Sequence, residues 1–262
     1  MSTPRTTVMM PAFNSEATLR ESVESVLAQT VPDLELIVVD NASRLPAREV
    51  LADVRDPRLR HARLRRNLGT AGGRNTALRL ASAPLVSQLD SDDQWEPDYL
   101  EHVLPCFDDP AVGLAYSNTH IIGHPTGHDD YIGDPSVHPM HDFPKIAEQN
   151  PIPCPTATLR AGAVRAVGGY AVSQWMVEDY HLYLRLARAG WRFAYVHRQL
   201  ARYRWPSATS GLSGRKRQHE LWELAMYARF VARHPLTPGP RRQVRTRVRR
   251  ELDRLRGLHL AP

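Results

Sequence analysis

The sequence predicts an α/β protein: a mostly parallel, doubly wound sheet flanked by helices, followed by a C-terminal helical extension. Three observations carry this reading. Strand-like and helix-like segments alternate through the first 120 residues of a 262-residue chain. Two of the strand segments, LELIVVD (34–40) and LVSQLD (85–90), are continuous apolar runs, the pattern of strands covered on both faces. Four strand–helix pairs in succession call for parallel strands joined by right-handed crossovers.

The elements follow in order. TTVMMPAF (6–13) is a short apolar strand. SEATLRESVESVLAQT (15–30) places Leu19, Val23, Val26 and Leu27 at helical spacing, with Asn14 or Ser15 available as N-cap. After the strand 34–40, PAREVLADV (46–54) reads as a helix with Pro46 near its first turn. LRHARLR (59–65) is a weaker strand, and GTAGGRNTALRLAS (69–82) a helix entered through glycines. The strand 85–90 leads to the helix PDYLEHVLPCF (97–107). Beyond VGLAYSNTHIIG the pattern breaks: residues 123–155 are rich in Pro, His, Gly and Asp and show no period. A segment of that length without regular structure is commonly functional. Order returns with TLRAGAVRAVGGY (158–170), the helix EDYHLYLRLARAG (178–190) stopped by Gly190, and the strand WRFAYVHRQLARYRW (191–205). Two helical stretches, roughly 214–234 and 239–257, close the chain. The expected organisation is an α/β half at 1–122, a second half of the same domain at 123–212, and an Arg-rich helical extension at 213–262.

Composition narrows the function. The formal net charge is +6, and residues 241–256 alone hold eight Arg against Glu251 and Asp253, so the remainder is formally neutral. A neutral body argues against nucleic-acid binding and leaves a basic tail on a catalytic or binding domain. Val244, Val248, Leu252 and Leu255 form one apolar stripe among these arginines, the pattern of an interfacial helix, so a peripheral membrane contact is one expectation. The other is that the stripe packs on the catalytic domain. No apolar run reaches the length of a membrane span, and the N-terminal residues lack the apolar core of a signal peptide, so the expected location is cytoplasmic, with the inner face of the membrane possible through that helix. Cys106 and Cys154 have no metal-ligand spacing and read as reduced thiols.

The acids cluster where an α/β sheet binds ligands. Asp40 ends one apolar strand; Asp90 ends another, with Asp92 and Asp93 just past it and Glu96 close behind. Such crowding suits a hard cation, Mg²⁺ or Mn²⁺, which takes oxygen ligands; a polar turn with Asp92 or Asp93 capping the next helix fits equally on these residues alone. His120, His124 and His128 recur every four residues, but Gly123, Pro125 and Gly127 oppose a helix and hence a zinc face. With His138 and His141 they are expected to line an acceptor loop.

In order, PAFN (11–14), VVDNAS (38–43), NLGTAGGRN (67–75), LDSDD (89–93) and ED (178–179) resemble the motif series of the family-2 glycosyltransferases over about residues 6–210. The resemblance implies the GT-A fold and an enzyme moving one sugar from a nucleotide-diphosphate sugar (UDP-, dTDP- or GDP-linked) to a hydroxyl of a glycan, a lipid-linked saccharide or a small molecule. It implies that Pro11, Ala12, Phe13 and Asn14 wall the nucleotide, that Asp40 accepts a base N–H, and that Arg74 reaches the base or diphosphate. Asp90 and Ser91 then contact the donor, Asp92 binds the metal, and Asn67 either touches the donor or fixes its loop. Of Glu178 and Asp179, the Asp is the implied general base of an inverting transfer. The chain departs from the family at Tyr203–Arg204–Trp205, where Trp stands at the place many members give to His; Arg202 or Arg204 is a candidate for holding the diphosphate. The competing readings are a nucleotidyltransferase, which needs a Gly-rich basic loop after the first strand that MMPAFNSEATL lacks, and a non-catalytic nucleotide-sugar-binding protein.

Overall fold

The computed structural model describes residues 3–124, 126–132, 146–147, 150–205, 216–234 and 238–255. Its eight strands are β1 (Thr6–Ala12), β2 (Leu34–Asp40), β3 (Leu59–Arg63), β4 (Leu85–Gln88), β5 (Gln94–Trp95), β6 (Val112–Ile122), β7 (Thr158–Arg160) and β8 (Arg192–Arg204). They form one sheet in the order β3-β2-β1-β4-β7-β6-β8-β5. The first four are mutually parallel, as the sequence predicts. β7 runs antiparallel between β4 and β6, β8 is parallel to β6, and β5 is antiparallel to β8.

The apolar runs are continuous because neighbouring side chains serve opposite faces. Met9, Ile37 and Val39 enter one core; Val8, Met10, Leu36 and Val38 enter the other. The helices are α1 (Leu19–Leu27), α2 (Ala47–Val50), α3 (Gly69–Leu80), α4 (Tyr99–Val103), α5 (Ala161–Ala166), α6 (Glu178–Arg188), α7 (Lys216–Arg233) and α8 (Pro238–Leu255). α1, α2 and α4 cover the second face; α3, α5, α6 and α7 cover the first. The chain therefore winds outward from β1 to β3 on one face and returns to β4 on the other. The crevice between β1 and β4, at the carboxyl ends of the strands, is the switch point where such sheets bind ligands.

Three local expectations are corrected. α1 starts at Leu19 and no side chain caps it, because Asn14 turns into the left-handed region (φ 48°) and the Ser15 carbonyl accepts the Thr18 and Leu19 N–H groups. The 46–54 helix shrinks to four residues with Pro46 as its N-cap. The 97–107 helix tightens after Val103 into a 3₁₀ turn, Leu104–Asp108, where Pro105 lacks the N–H that α geometry needs. Among the described residues no helix is long and apolar enough to cross a membrane.

Candidate functional site

The switch point collects acids around one buried cation. Gly73 lets α3 press onto the end of β1: a Cβ there would lie 2.7 Å from Pro11 Cβ and 2.9 Å from Asn41 Nδ2. This brings Arg74, 1% exposed, under the crevice. Its Nη2 is 2.6 Å from Asp90 Oδ1, and its Nη1 is 2.9 Å from Glu178 Oε1. Nη2 also lies 3.0 Å from Cys154 Sγ, and the guanidinium sits 5.8 Å over the Tyr170 ring. Burial opposes the Arg74 charge, but Asp90 and Glu178 outweigh it and hold the guanidinium protonated. Arg74, expected to reach the base or diphosphate, is thus turned inward between the acid after β4 and the first acid of α6.

Glu178 and Asp179 open α6, where the helix dipole favours negative charge. Their environments differ. Glu178 is 5% exposed, accepts from Arg74 and hydrogen-bonds Thr70 Oγ1. Asp179 is only half-buried and accepts a local bond from the Tyr180 N–H to Oδ1 at 2.7 Å. Burial raises both carboxyls, and Arg74 pulls both partly back.

Past β4, Asp93 is buried and accepts the Arg204 N–H at 2.8 Å; burial, then Asp92 and Asp90, push its carboxyl up. Asp92 points to the surface of the crevice. Reduced solvation in that concave setting, followed by the charge of Asp90, pushes its carboxyl up to about 6. Ser91 is 7% exposed and its carbonyl accepts Thr18 Oγ1. Arg202 and Arg204 are engaged with acids, Glu96 at 2.7 Å and Glu21 at 3.0 Å.

The other expected positions line the same end of the sheet. Pro11 and Ala12 end β1, buried, and Phe13 beyond them is 48% exposed rather than part of the core. Asn14 Oδ1 accepts the Arg44 N–H. Asp40 is 3% exposed, accepts the Ser43 and Ala47 N–H groups at 2.7 and 3.2 Å, and pairs with Arg63 at 3.3 Å. Asn67 Oδ1 accepts the Gly69 N–H, which fixes its loop. Of the histidines, His120 pairs with Asp129, and His124 lies edge-on to Trp205. His138 and His141 lie outside the described residues, and among the described residues no group of three or more His, Cys, Asp or Glu is arranged to hold a metal ion by itself.

Sequence reasoning missed several neighbours. Cys154 donates to Gln88 Oε1 at 3.3 Å and Tyr183 donates to the same oxygen at 2.8 Å, so the floor of the site is a buried polar network. Burial raises the Cys154 thiol, which keeps it protonated. Tyr131, from the aperiodic segment, stands in an edge contact with Tyr203 and feels the charge of Asp179. Trp175, 37% exposed, was signalled only by its place three residues before Glu178. Its ring lies on Gly69, which has φ +71°; a Cβ there would be 2.7 Å from Trp175 Cζ3. Gly69→Ala is therefore expected to cost about 1–3 kcal/mol through backbone strain, more once Trp175 is displaced; urea unfolding and Trp175 fluorescence read both effects.

Known proteins resemble this chain in sequence and in fold. The family described as Glycosyl transferase family 2 matches residues 7–168. A UDP-Glc:α-D-GlcNAc-diphosphoundecaprenol β-1,3-glucosyltransferase, WfgD of Escherichia coli, is 29% identical over 181 residues, 69% of this chain and 69% of its own. Among solved structures, S. aureus TarS 1–349 in complex with UDP-GlcNAc superposes with a TM-score of 0.75 at 16% identity, over 97% of this chain and 74% of that one. The mannosyltransferase PcManGT of Pyrobaculum calidifontis, in complex with GDP-Man and Mn²⁺, gives 0.70 at 19% identity over 100% of this chain and 78% of that one. Both structures share the GT-A type fold.

Proposed function

From its membership of glycosyl transferase family 2, to which the chain belongs, we propose a metal-dependent, inverting transfer of one sugar from a nucleotide-diphosphate sugar to an acceptor hydroxyl. The observation that carries this reading is the meeting of two acid groups at the β1–β4 switch point, Asp90 with Asp92 and Asp93 past β4 and Glu178 with Asp179 at the start of α6, bridged by buried Arg74, which pairs with Asp90 and Glu178.

Electrostatics supports the need for a cation. Two like unit charges about 4 Å apart repel by roughly 4 kcal/mol at an effective dielectric of 20. A diphosphate brought beside these acids meets that repulsion, and Arg74, Arg202 and Arg204 already face acids. The donor set fits Mn²⁺ or Mg²⁺. It is all oxygen, Asp92 is open to the crevice, and such ions are usually held by one or two carboxylates with the remaining positions filled by substrate phosphates and water. Asp92, with Asp90 beside it, would hold the ion, and when bound it supplies Lewis-acid neutralisation of the departing diphosphate.

The chain's own residues do the rest. Pro11, Ala12 and the exposed ring of Phe13 offer an apolar wall to the nucleotide base, with Asn14, Asp40 and Asn67 at its polar edge and Ser91 beside Asp90 at the ribose. Arg74 fixes Asp90 and Glu178 from below. Asp179 takes the proton of the acceptor hydroxyl as that oxygen attacks the anomeric carbon from the face opposite the diphosphate, which inverts the centre. For the acceptor, the diphospholipid-linked saccharide named for WfgD is the reading that suits a basic, peripheral C-terminal helix at the inner face of a membrane.

The deciding experiment is release of nucleoside diphosphate from a panel of UDP-, dTDP- and GDP-sugars, with Mn²⁺, with Mg²⁺ and with chelator. Asp92→Ala is expected to remove the Mn²⁺-dependent part of nucleoside diphosphate binding while the protein stays folded. The pH dependence has a definite sign. A cation binds the ionised carboxylate, so Mn²⁺-dependent affinity is strong above about pH 6 and weakens as pH falls through the raised pKa of Asp92. Below it, affinity drops about tenfold per unit for one displaced proton. Calorimetry showing the same Mn²⁺ dependence in wild type and Asp92→Ala would remove Asp92 as the ligand.

A further inference from the structure

The C-terminal helices leave a second feature that the transfer reaction does not use. α7 and α8 enclose a groove of about 530 Å³. Leu224, Ala228 and Val231 form one wall; Val244, Val248 and Leu252 form the other. Val244 is 4% exposed and belongs to the main core, whereas Leu252 is 39% exposed, so the stripe is buried at its start and opens outward along α8. Leu221, one turn before Leu224 on the same face of α7, is 52% exposed.

The rim is basic. Arg241, Arg242, Arg245 and Arg249 are exposed, and among the described residues none of them forms an ion pair; Asp253 is the acid at the groove's outer end. The formal charge outside residues 241–256 sums to zero, so the net positive charge of this protein belongs to the segment that supplies this rim. An apolar floor flanked by cations matches one kind of partner, a surface of apolar chains with anionic headgroups.

We propose that the α7–α8 groove and its arginine rim seat the protein on an anionic phospholipid surface, with Leu252 and Leu221 entering the headgroup boundary and the four arginines facing the phosphates. The purpose of this seating rests on the lipid-linked acceptor read above, but the seating itself needs neither donor nor acceptor. It bears on the catalytic helix by contact. Tyr227 lines the groove, its hydroxyl bonds that of Tyr180 and the Ala147 carbonyl, and Tyr180 follows Asp179 in α6. Arg229 of α7 donates to the Ser173 carbonyl, next to the loop that carries Trp175.

Sedimentation of the full chain with vesicles tests this. Vesicles containing phosphatidylglycerol are expected to carry the protein down at low salt and to release it at high salt, and pure phosphatidylcholine to leave it in solution. The triple change Arg241→Glu, Arg245→Glu, Arg249→Glu is expected to weaken the partition about 10²-fold, and Leu252→Glu to weaken it alone. These side chains are exposed and distant in sequence from the acids, so donor turnover in solution reports that each variant is folded. No binding to the anionic vesicles, or binding unchanged by the triple substitution, overturns the proposal. So does a dimer that forms through α8 and is abolished by the same substitutions while vesicles stay empty. None of these results touches the donor assay, so sugar transfer stands or falls separately.

Discussion

Asp179→Asn is expected to keep nucleoside diphosphate binding within a few-fold of wild type and to lose about 10²–10⁴-fold in transfer, the range of a removed general base. The amide fills the same space and accepts the same local bond from the Tyr180 N–H, but it cannot take a proton. The choice between the two acids of α6 rests on their partners. Glu178 is enclosed by Arg74 and Thr70, whereas Asp179 is half-exposed in the crevice. Burial raises the Asp179 carboxyl above the ordinary aspartate range. A base must be ionised to act, so the acid limb of kcat/KM should lie above the usual aspartate value and vanish from the residual activity of the Asn variant. Transfer by Asp179→Asn within about tenfold of wild type removes the assignment.

Arg74→Met is expected to destabilise the protein by about 3–5 kcal/mol, the cost of leaving buried charge without its partner. Asp90 and Glu178 lose their direct counter-ion, Asp179 loses the charge that offsets its burial, and Cys154 loses a neighbour. Glu178→Gln in the same chain should recover part of that stability, because it neutralises the most buried of the stranded acids. Urea titration of both variants decides the point. A single variant as stable as wild type, or a double variant no better than the single, removes Arg74 as the centre of this network. A residue that merely touched a ligand would shift binding and leave unfolding alone.

Much of the fold is legible in the sequence because β1, β2 and β4 are buried on both faces and cannot disguise it. LELIVVD and LVSQLD are mostly apolar; the first is a fully buried strand over its whole length and the second over Leu85–Gln88. The later sheet was harder to read. β7 is three residues long and antiparallel, and its place between β4 and β6 depends on long-range pairing that TLR does not announce. Helix limits failed where backbone chemistry overrode periodicity: Asn14 left the position of a cap to take a left-handed turn, and Pro105 tightened the end of α4. For the crevice, the crowding of acids past a strand end pointed to Asp90 and Asp92, and the family resemblance pointed to the acids of α6. Neither could orient Arg74. Whether an arginine faces a ligand or lies beneath the site depends on Gly73 meeting Pro11 and on Glu178 arriving from more than a hundred residues away. Cys154 and Tyr131 belong to a stretch with no period, and only the folded chain brings them in.

The inward turn of Arg74 also says where this enzyme can be re-engineered. A library aimed at new donors should leave Arg74, Glu178 and Thr70 untouched, since changing any one unbalances the other two. Phe13 at the open edge and Arg65 and Arg66 just before the 67–69 loop carry side chains exposed to solvent. Those three positions can be randomised with little burden on folding, so altered sugar or nucleotide preference should be sought there, on a foundation that stays fixed.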